Sequence, residues 1–129
     1  MTQGFPPNFT ASEFACKCGR CDGFPYPDRV RHLAWVLQKI RREIDCPLKI
    51  TSGYRCEEHN MAVGGASKSK HVKCWAADIK PVGKQVVELF EIIQSLRSAG
   101  EIPKGGLGKY ASWIHYDIRP DGPADWDKQ

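Results

Sequence analysis

Pro47-Leu48-Lys49-Ile50-Thr51-Ser52 alternates apolar and polar residues and stops at Gly53, with Tyr54-Arg55 following. A period of two predicts a strand, and the glycine predicts a turn holding Arg55 at the strand's end, where binding residues commonly sit. Trp75-Ala76-Ala77-Asp78-Ile79 predicts a second strand, closed by Pro81. Tyr110 to Ile118 alternates as a third, with Trp113, His115 and Asp117 on one face and Ile114, Tyr116 and Ile118 on the other.

Helical periods separate these runs. From Asp28 to Asp45, residues Val30, Leu33, Ala34, Leu37, Ile40 and Ile44 form one stripe, with Arg31, Gln38, Arg41 and Arg42 off it and Asp28 placed to cap the first turn. His32 reads as a partly exposed helix residue with a structural role. A second helix is predicted over Gly83 to Ser98, from Val86, Val87, Leu89, Phe90, Ile93 and Leu96, with Gly100 as its stop. Thr10-Ala11-Ser12-Glu13 has the form of a capping box ahead of Phe14. Glu57 to Val63 predicts a turn or two of helix closed by Gly64-Gly65, and Ala66 to Lys73 a basic loop. Lys17 to Pro27 and Lys104 to Gly108 read as loop and flexible turn, residues 1–8 as an N-terminal extension, and 120–129 as an exposed tail. The expected architecture is α+β: one domain over 1–129, with a small, mainly antiparallel sheet and helices on one side.

The chain has 129 residues, enough for one real core and too few for two. With 41% hydrophobic and 26% charged residues it has a globular composition, and no run approaches the ~20 apolar residues of a membrane span. The N-terminus lacks a basic region followed by an apolar core, so synthesis in the cytoplasm without a signal peptide is expected. The net charge of +4 favours polyanions in general and selects none. Nucleic-acid binding is disfavoured, because the aromatics do not interleave with Lys and Arg and the cysteines lack a paired second half.

Six cysteines remain. Cys16, Cys18 and Cys21 crowd into Cys-Lys-Cys-Gly-Arg-Cys, while Cys46, Cys56 and Cys74 stand alone. A reducing compartment favours zinc on clustered thiolates, with Cys56 or Cys46 as the fourth ligand; export would instead favour disulfides. Both readings stay open.

His71 and Asp78 are separated by a loop and the start of a strand, and His115 comes from another strand. Two imidazoles and a carboxylate are a donor set that catalytic zinc accepts, with one position left for water. Ser69 two residues before His71, and Asp117 two after His115, add company to the set.

Ser52-Gly53-Tyr54-Arg55, Ser69-Lys70-His71, Ala76-Ala77-Asp78 and His115-Tyr116-Asp117-Ile118-Arg119 resemble the zinc D-Ala-D-Ala carboxypeptidase family. That family shares its fold with the Hedgehog signalling domain and includes phage endolysins that cleave L-Ala-D-Glu bonds. The likeness runs from about Phe9-Thr10 through Arg119. It implies a zinc peptidase acting as a monomer on bacterial peptidoglycan after release or export, without membrane insertion. It implies zinc on His71, Asp78 and His115, Arg55 gripping a substrate carboxylate or the carbonyl oxygen, and Ser69 binding substrate or orienting its loop. His59 and Asn60 fall in the family's His-Asn segment, in a supporting role.

Two departures stand out. Cys74 occupies a place where the family often has glycine. Ser112 stands three residues before the last His, where several branches carry Asp or Glu. Asp117, on the strand face of His115 and ~7 Å along it, is the expected general base, against the reading that it orients His115. Glu57, Glu58 and Asp121 are weaker candidates. Tyr110 is expected to offer its hydroxyl to substrate, Trp113 to wall a cleft, and Trp75 to fill the core. The competing reading is a zinc-containing binding module of the same fold without catalysis.

Overall fold

The computed structural model describes residues 4–21, 23–66 and 68–128. Met1-Thr2-Gln3 of the expected extension, Ser67 of the basic loop and Gln129 of the expected tail lie outside them. In chain order the elements are a 3₁₀ turn at Ala11–Phe14, α1 (Pro27–Ile44), β1 (Leu48–Ser52), α2 (Glu57–Ala62), β2 (Ala76–Pro81), α3 (Val86–Ser98), β3 (Gly106–Tyr110), β4 (Ile114–Asp117) and β5 (Ala124–Lys128). The expected α+β layout holds: one five-stranded sheet in the order β1-β2-β4-β3-β5, flanked by helices. Three of its pairings are antiparallel, and β5 joins β3 in parallel.

α1 forms because its apolar residues repeat at helical spacing. Val30, Leu33, Leu37, Ile40 and Ile44 are all buried, Pro27 sits in the first turn where its missing N–H costs nothing, and the helix ends at Asp45 in the left-handed region (φ 57°). Tyr26, not Asp28, is the N-cap; Asp28 lies in the first turn and pairs with Arg31. In α3 the buried stripe is Leu89, Ile93 and Leu96, and Gly100 stops the helix with φ 74°. α1 and α3 pack on each other, and their stripes join Ile50, Ile79, Ile114, Leu107 and Tyr116 from the sheet in one core. None of the described helices is long and apolar enough to cross a membrane.

Three expectations change. Residues 4–8 are no free extension: Gln38, placed off the α1 stripe, is buried because its amide donates to Asn8 Oδ1 (2.7 Å) while its Oε1 accepts the Asn8 N–H (3.1 Å). Trp35 Nε1 likewise donates to the Gly4 carbonyl at 2.6 Å, and the Phe5 and Phe9 rings pack on Phe14. Second, the predicted third strand is a hairpin, with Tyr110 N–H donating to the Trp113 carbonyl at 3.0 Å and Ala111-Ser112 at its tip. The expected flexible turn at 104–108 therefore supplies most of β3. Its glycines are not loose: a Cβ at Gly106 would collide with the Asp117 carboxylate and Arg119, and one at Gly108 with the Trp126 indole.

Third, the expected tail carries β5. Its ladder to β3 is reinforced by the Arg97 guanidinium, which donates to both oxygens of Asp125 at 2.9 Å and to the Lys104 carbonyl at 2.6 Å. A segment rich in Asp, Gly and Pro has low strand propensity, so β5 depends on this tertiary support.

Candidate metal centre

The site is one row of the sheet. Ser52 lies opposite Asp78, Asp78 opposite His115, His115 opposite Gly108, and Gly108 opposite Trp126. Alternation sends the neighbouring pairs Ala77–Tyr116 and Ile79–Ile114 into the core beneath α1 and α3, so Asp78 and His115 emerge on the other face. β1 joins the row through an irregularity between Ile50 and Ser52. In an unbroken strand Ser52 would share the core-facing side of Ile50; the extra residue turns it toward Asp78.

His71 reaches the row from the loop before β2. Ser69 Oγ accepts the His71 backbone N–H at 3.3 Å, and the His71 carbonyl accepts the Arg55 N–H at 3.2 Å. Its Nδ1 donates to the Gly53 carbonyl at 2.8 Å, which leaves Nε2 as a bare lone pair 3.2 Å from Asp78 Oδ1. His115 is held in the mirror sense. Its Nε2 donates to Asp117 Oδ2 at 2.7 Å, leaving the Nδ1 lone pair 3.2 Å from the same Asp78 oxygen.

Three electron-rich atoms thus converge within 4.8 Å of one another, all on buried residues. Such a cluster repels itself unless a cation joins it. Zinc fits: with bonds of ~2.0–2.1 Å, tetrahedral donors stand roughly 3.3 Å apart, close to the spacing found here. Without a metal, protons take over part of that task. Burial alone would raise the Asp78 carboxyl's pKa, but hydrogen bonds from His115 and His71 outweigh it and hold the pKa well below the usual carboxylate range. Burial would lower the pKa of His115; its bonds to Asp117 and Asp78 raise it instead.

Asp117 is fully buried, on the side of His115 away from Asp78. Oδ1 accepts from Gly106 N (2.8 Å), Arg119 N (3.1 Å) and Arg119 Nε (2.8 Å), and Oδ2 from Arg119 Nη2 (2.6 Å) besides His115. Burial opposes its ionisation, yet Arg119 and His115 keep its pKa far below the usual carboxylate range. The residue expected as general base is thus held by five donors, one of them His115 Nε2, an arrangement that orients that ring.

Arg55, expected at substrate, first serves Asp78. Nε donates to Ser52 Oγ (3.0 Å), Nη1 to Asn60 Oδ1 (3.1 Å) and Nη2 to Asp78 Oδ2 (3.2 Å). These bonds engage three of its five N–H donors, and the guanidinium also lines the cleft. Asn60, buried at the end of α2's first turn, completes the support by donating to the Ala66 carbonyl at 2.8 Å.

The centre opens into a cleft of about 650 Å³. The stacked rings of Tyr110 and Trp113 (4.4 Å) line it, as do residues 63–66 and 68–70, Trp126 and Arg119. Lys68, Lys70 and Arg119 make it basic, and Asp78 is the one carboxylate among its lining residues. Glu57, Glu58 and Asp121 are not part of that lining; Asp121 pairs with Lys70 at 3.2 Å. Ser69 and Tyr110 both face the cleft, and the Tyr110 hydroxyl accepts from Trp126 Nε1 at 2.9 Å. Trp126 itself packs on His115, with centroids 4.9 Å apart. It escaped the sequence reading because nothing in Pro120 to Gln129 signals a strand. Trp75 is half-buried, with Arg29 over its ring at 4.0 Å.

Away from this centre, Cys16, Cys18, Cys21 and Cys56 form a second group with sulfurs mutually within 4.8 Å. Cys46 is in the core and outside that group. The Arg20 N–H and Cys21 hold the Cys18 pKa down to about 6, and sharing with Cys18 pushes the Cys21 thiol up to about 12. Cys74 is also outside the group, buried with φ 62°, a left-handed conformation that glycine adopts without strain.

The family model for Peptidase M15 matches residues 7–117. Comparison with curated proteins gives no match.

Proposed function

We propose, for a chain that belongs to the Peptidase M15 family, that it is a zinc-dependent peptidase hydrolysing amide bonds of peptidoglycan stem peptides. The observation that carries the reading is the convergence of the His71 and His115 lone pairs on Asp78 Oδ1 at the cleft. Zinc held by these three residues would supply Lewis-acid activation of the scissile carbonyl and of the attacking water. The protein's own groups do the rest. Gly53 and Asp117 fix the two imidazole tautomers, and Arg55 holds Asp78 so that one oxygen faces both rings. The two Arg55 donors not spent on Ser52, Asn60 and Asp78 can take a substrate carboxylate or the carbonyl oxygen.

Stem peptides carry carboxylates, and Lys68, Lys70 and Arg119 give the cleft the complementary charge. The Tyr110–Trp113 stack is a flat wall for an extended peptide, and the Tyr110 hydroxyl stands ready to donate to it. A net charge of +4 favours adsorption to an anionic cell wall, in keeping with a phage-type lysis enzyme or a wall-processing one acting as a monomer after release or export.

A second reading has one specific observation behind it. Among the described residues, Asp78 is the only carboxylate lining the cleft and is committed to the donor set, so none of them stands there as an acid–base partner. A zinc-containing binding module would look the same. Purified peptidoglycan incubated with the zinc-loaded protein discriminates. New amino or carboxyl ends, located by mass spectrometry and abolished by a chelator and by His71→Ala, establish the peptidase and the bond it cuts. Co-sedimentation with the wall but no new ends establishes the binding module.

A further inference from the structure

We propose that Cys16, Cys18, Cys21 and Cys56 bind a second, structural zinc ion that clamps the N-terminal loop to the start of α2. The four sulfurs lie mutually within 4.8 Å, with Cys18 Sγ 3.4 Å from Cys21 Sγ. A tetrahedral thiolate zinc site with ~2.3 Å bonds places its sulfurs roughly 3.8 Å apart, so small adjustments bring all four onto one ion. All six cysteines are free, and a group of four in mutual reach differs from two separate pairs, each with its own partner.

The backbone around the group is arranged for thiolates. Cys16 Sγ accepts the Cys56 N–H at 3.3 Å, Cys18 Sγ the Arg20 N–H at 3.3 Å, and Cys56 Sγ the His59 N–H at 3.4 Å. Gly19, at φ 79°, makes the reversal between Cys18 and Cys21 that brings both sulfurs to one side. Soft thiolate ligands in this number select zinc over the hard divalent ions.

The loop gives the group a purpose. Among the described residues between the 3₁₀ turn and α1 there is no helix or strand, and most of residues 17–21 are exposed. Little apolar burial holds it, so its order depends on a cross-link. Cys56 is the N-cap of α2, next to Arg55 and one turn before Asn60, which supports Arg55. A metal here fixes the backbone from which Arg55 reaches Asp78 and Asn60 reaches Arg55.

The full chain, purified under reducing conditions with zinc, tests this by metal counting. Two zinc ions per chain are expected, falling to one in Cys18→Ser/Cys21→Ser and to one in His71→Ala/His115→Ala. Cobalt substitution should give strong thiolate-to-metal charge-transfer absorption in the wild type and the histidine variant alike, and none in the cysteine variant. Trypsin should cut after Lys17 or Arg20 only once metal is removed. A single zinc per chain that persists in the cysteine variant overturns the proposal. So do cysteines that, in protein purified without reductant, resist alkylation in the presence of a chelator until a reductant is added, since they would be disulfides. Because the histidine variant retains the sulfur-bound ion, failure of the peptidase reading leaves these outcomes unchanged.

Discussion

Asp117 Oδ2 stands 2.7 Å from His115 Nε2, and through that bond the most buried carboxylate of the site decides which nitrogen of His115 faces Asp78. Asp117→Asn keeps the shape but can present an amide N–H toward the ring, favouring the wrong tautomer. Zinc affinity should fall by about 10–100-fold, measured by competition with a chromogenic chelator. Unchanged affinity with lost activity would return Asp117 to the role of base.

Arg55→Ala should cost about 3–5 kcal/mol, because it strips the charge partner from the buried Asp78 and a donor from the buried Asn60. Arg55→Lys should recover part of the stability but not the three-way fork to Ser52, Asn60 and Asp78. Thermal unfolding with and without zinc checks both; a loss under 1 kcal/mol for the alanine variant would make Arg55 a substrate residue only.

In the metal-free protein the folded-state pKa of His115 is raised, so its contribution to stability is complete below ~6.5 and fades as pH climbs through the higher folded value. Asp78 and Asp117 are shifted the other way. Their contributions persist above ~3.9 and disappear only as pH falls through their depressed folded values. Chelator-treated protein should therefore melt at a lower temperature at pH 8 than at pH 6. With zinc bound the order should flatten or reverse, because protons compete with the metal for His71 and His115. Melting curves across that interval, with and without chelator, test this; a metal-free protein more stable at pH 8 would contradict it.

Gly108→Val places a side chain where the Trp126 indole lies, beside His115. The indole must move, at a cost of about 1–3 kcal/mol. Trp126 emission should shift as the ring leaves His115 and the Tyr110 hydroxyl, with the spectrum corrected for the other three tryptophans by Trp126→Phe. An unaltered spectrum and melting temperature would show that β5 does not cover the site.

Much of this was legible in the chain itself. α1 and α3 follow from apolar stripes of period 3.6, β1 and β2 from short runs bounded by Gly53 and Pro81, and the α+β class from their order. His71, Asp78 and His115 stand out by residue type and by their places at the ends of such runs. These are local signals, carried by a few neighbouring residues.

What tertiary structure decided is everything that depends on what lies across the sheet. The irregularity after Ile50 reverses the face of Ser52, and no local pattern announces it. The glycines of β3 look like a loose turn until Asp117, Arg119 and Trp126 are seen packed over them. Asp117 could be read as base or as support for His115 so long as only its strand face was known; the five donors around it left no free lone pair toward the cleft. β5 forms from a sequence with little strand propensity, because Arg97 and the edge of β3 supply the bonds it cannot find alone. Period and residue type are written in the chain, whereas register, close approach and the sharing of hydrogen bonds arise only when distant segments meet.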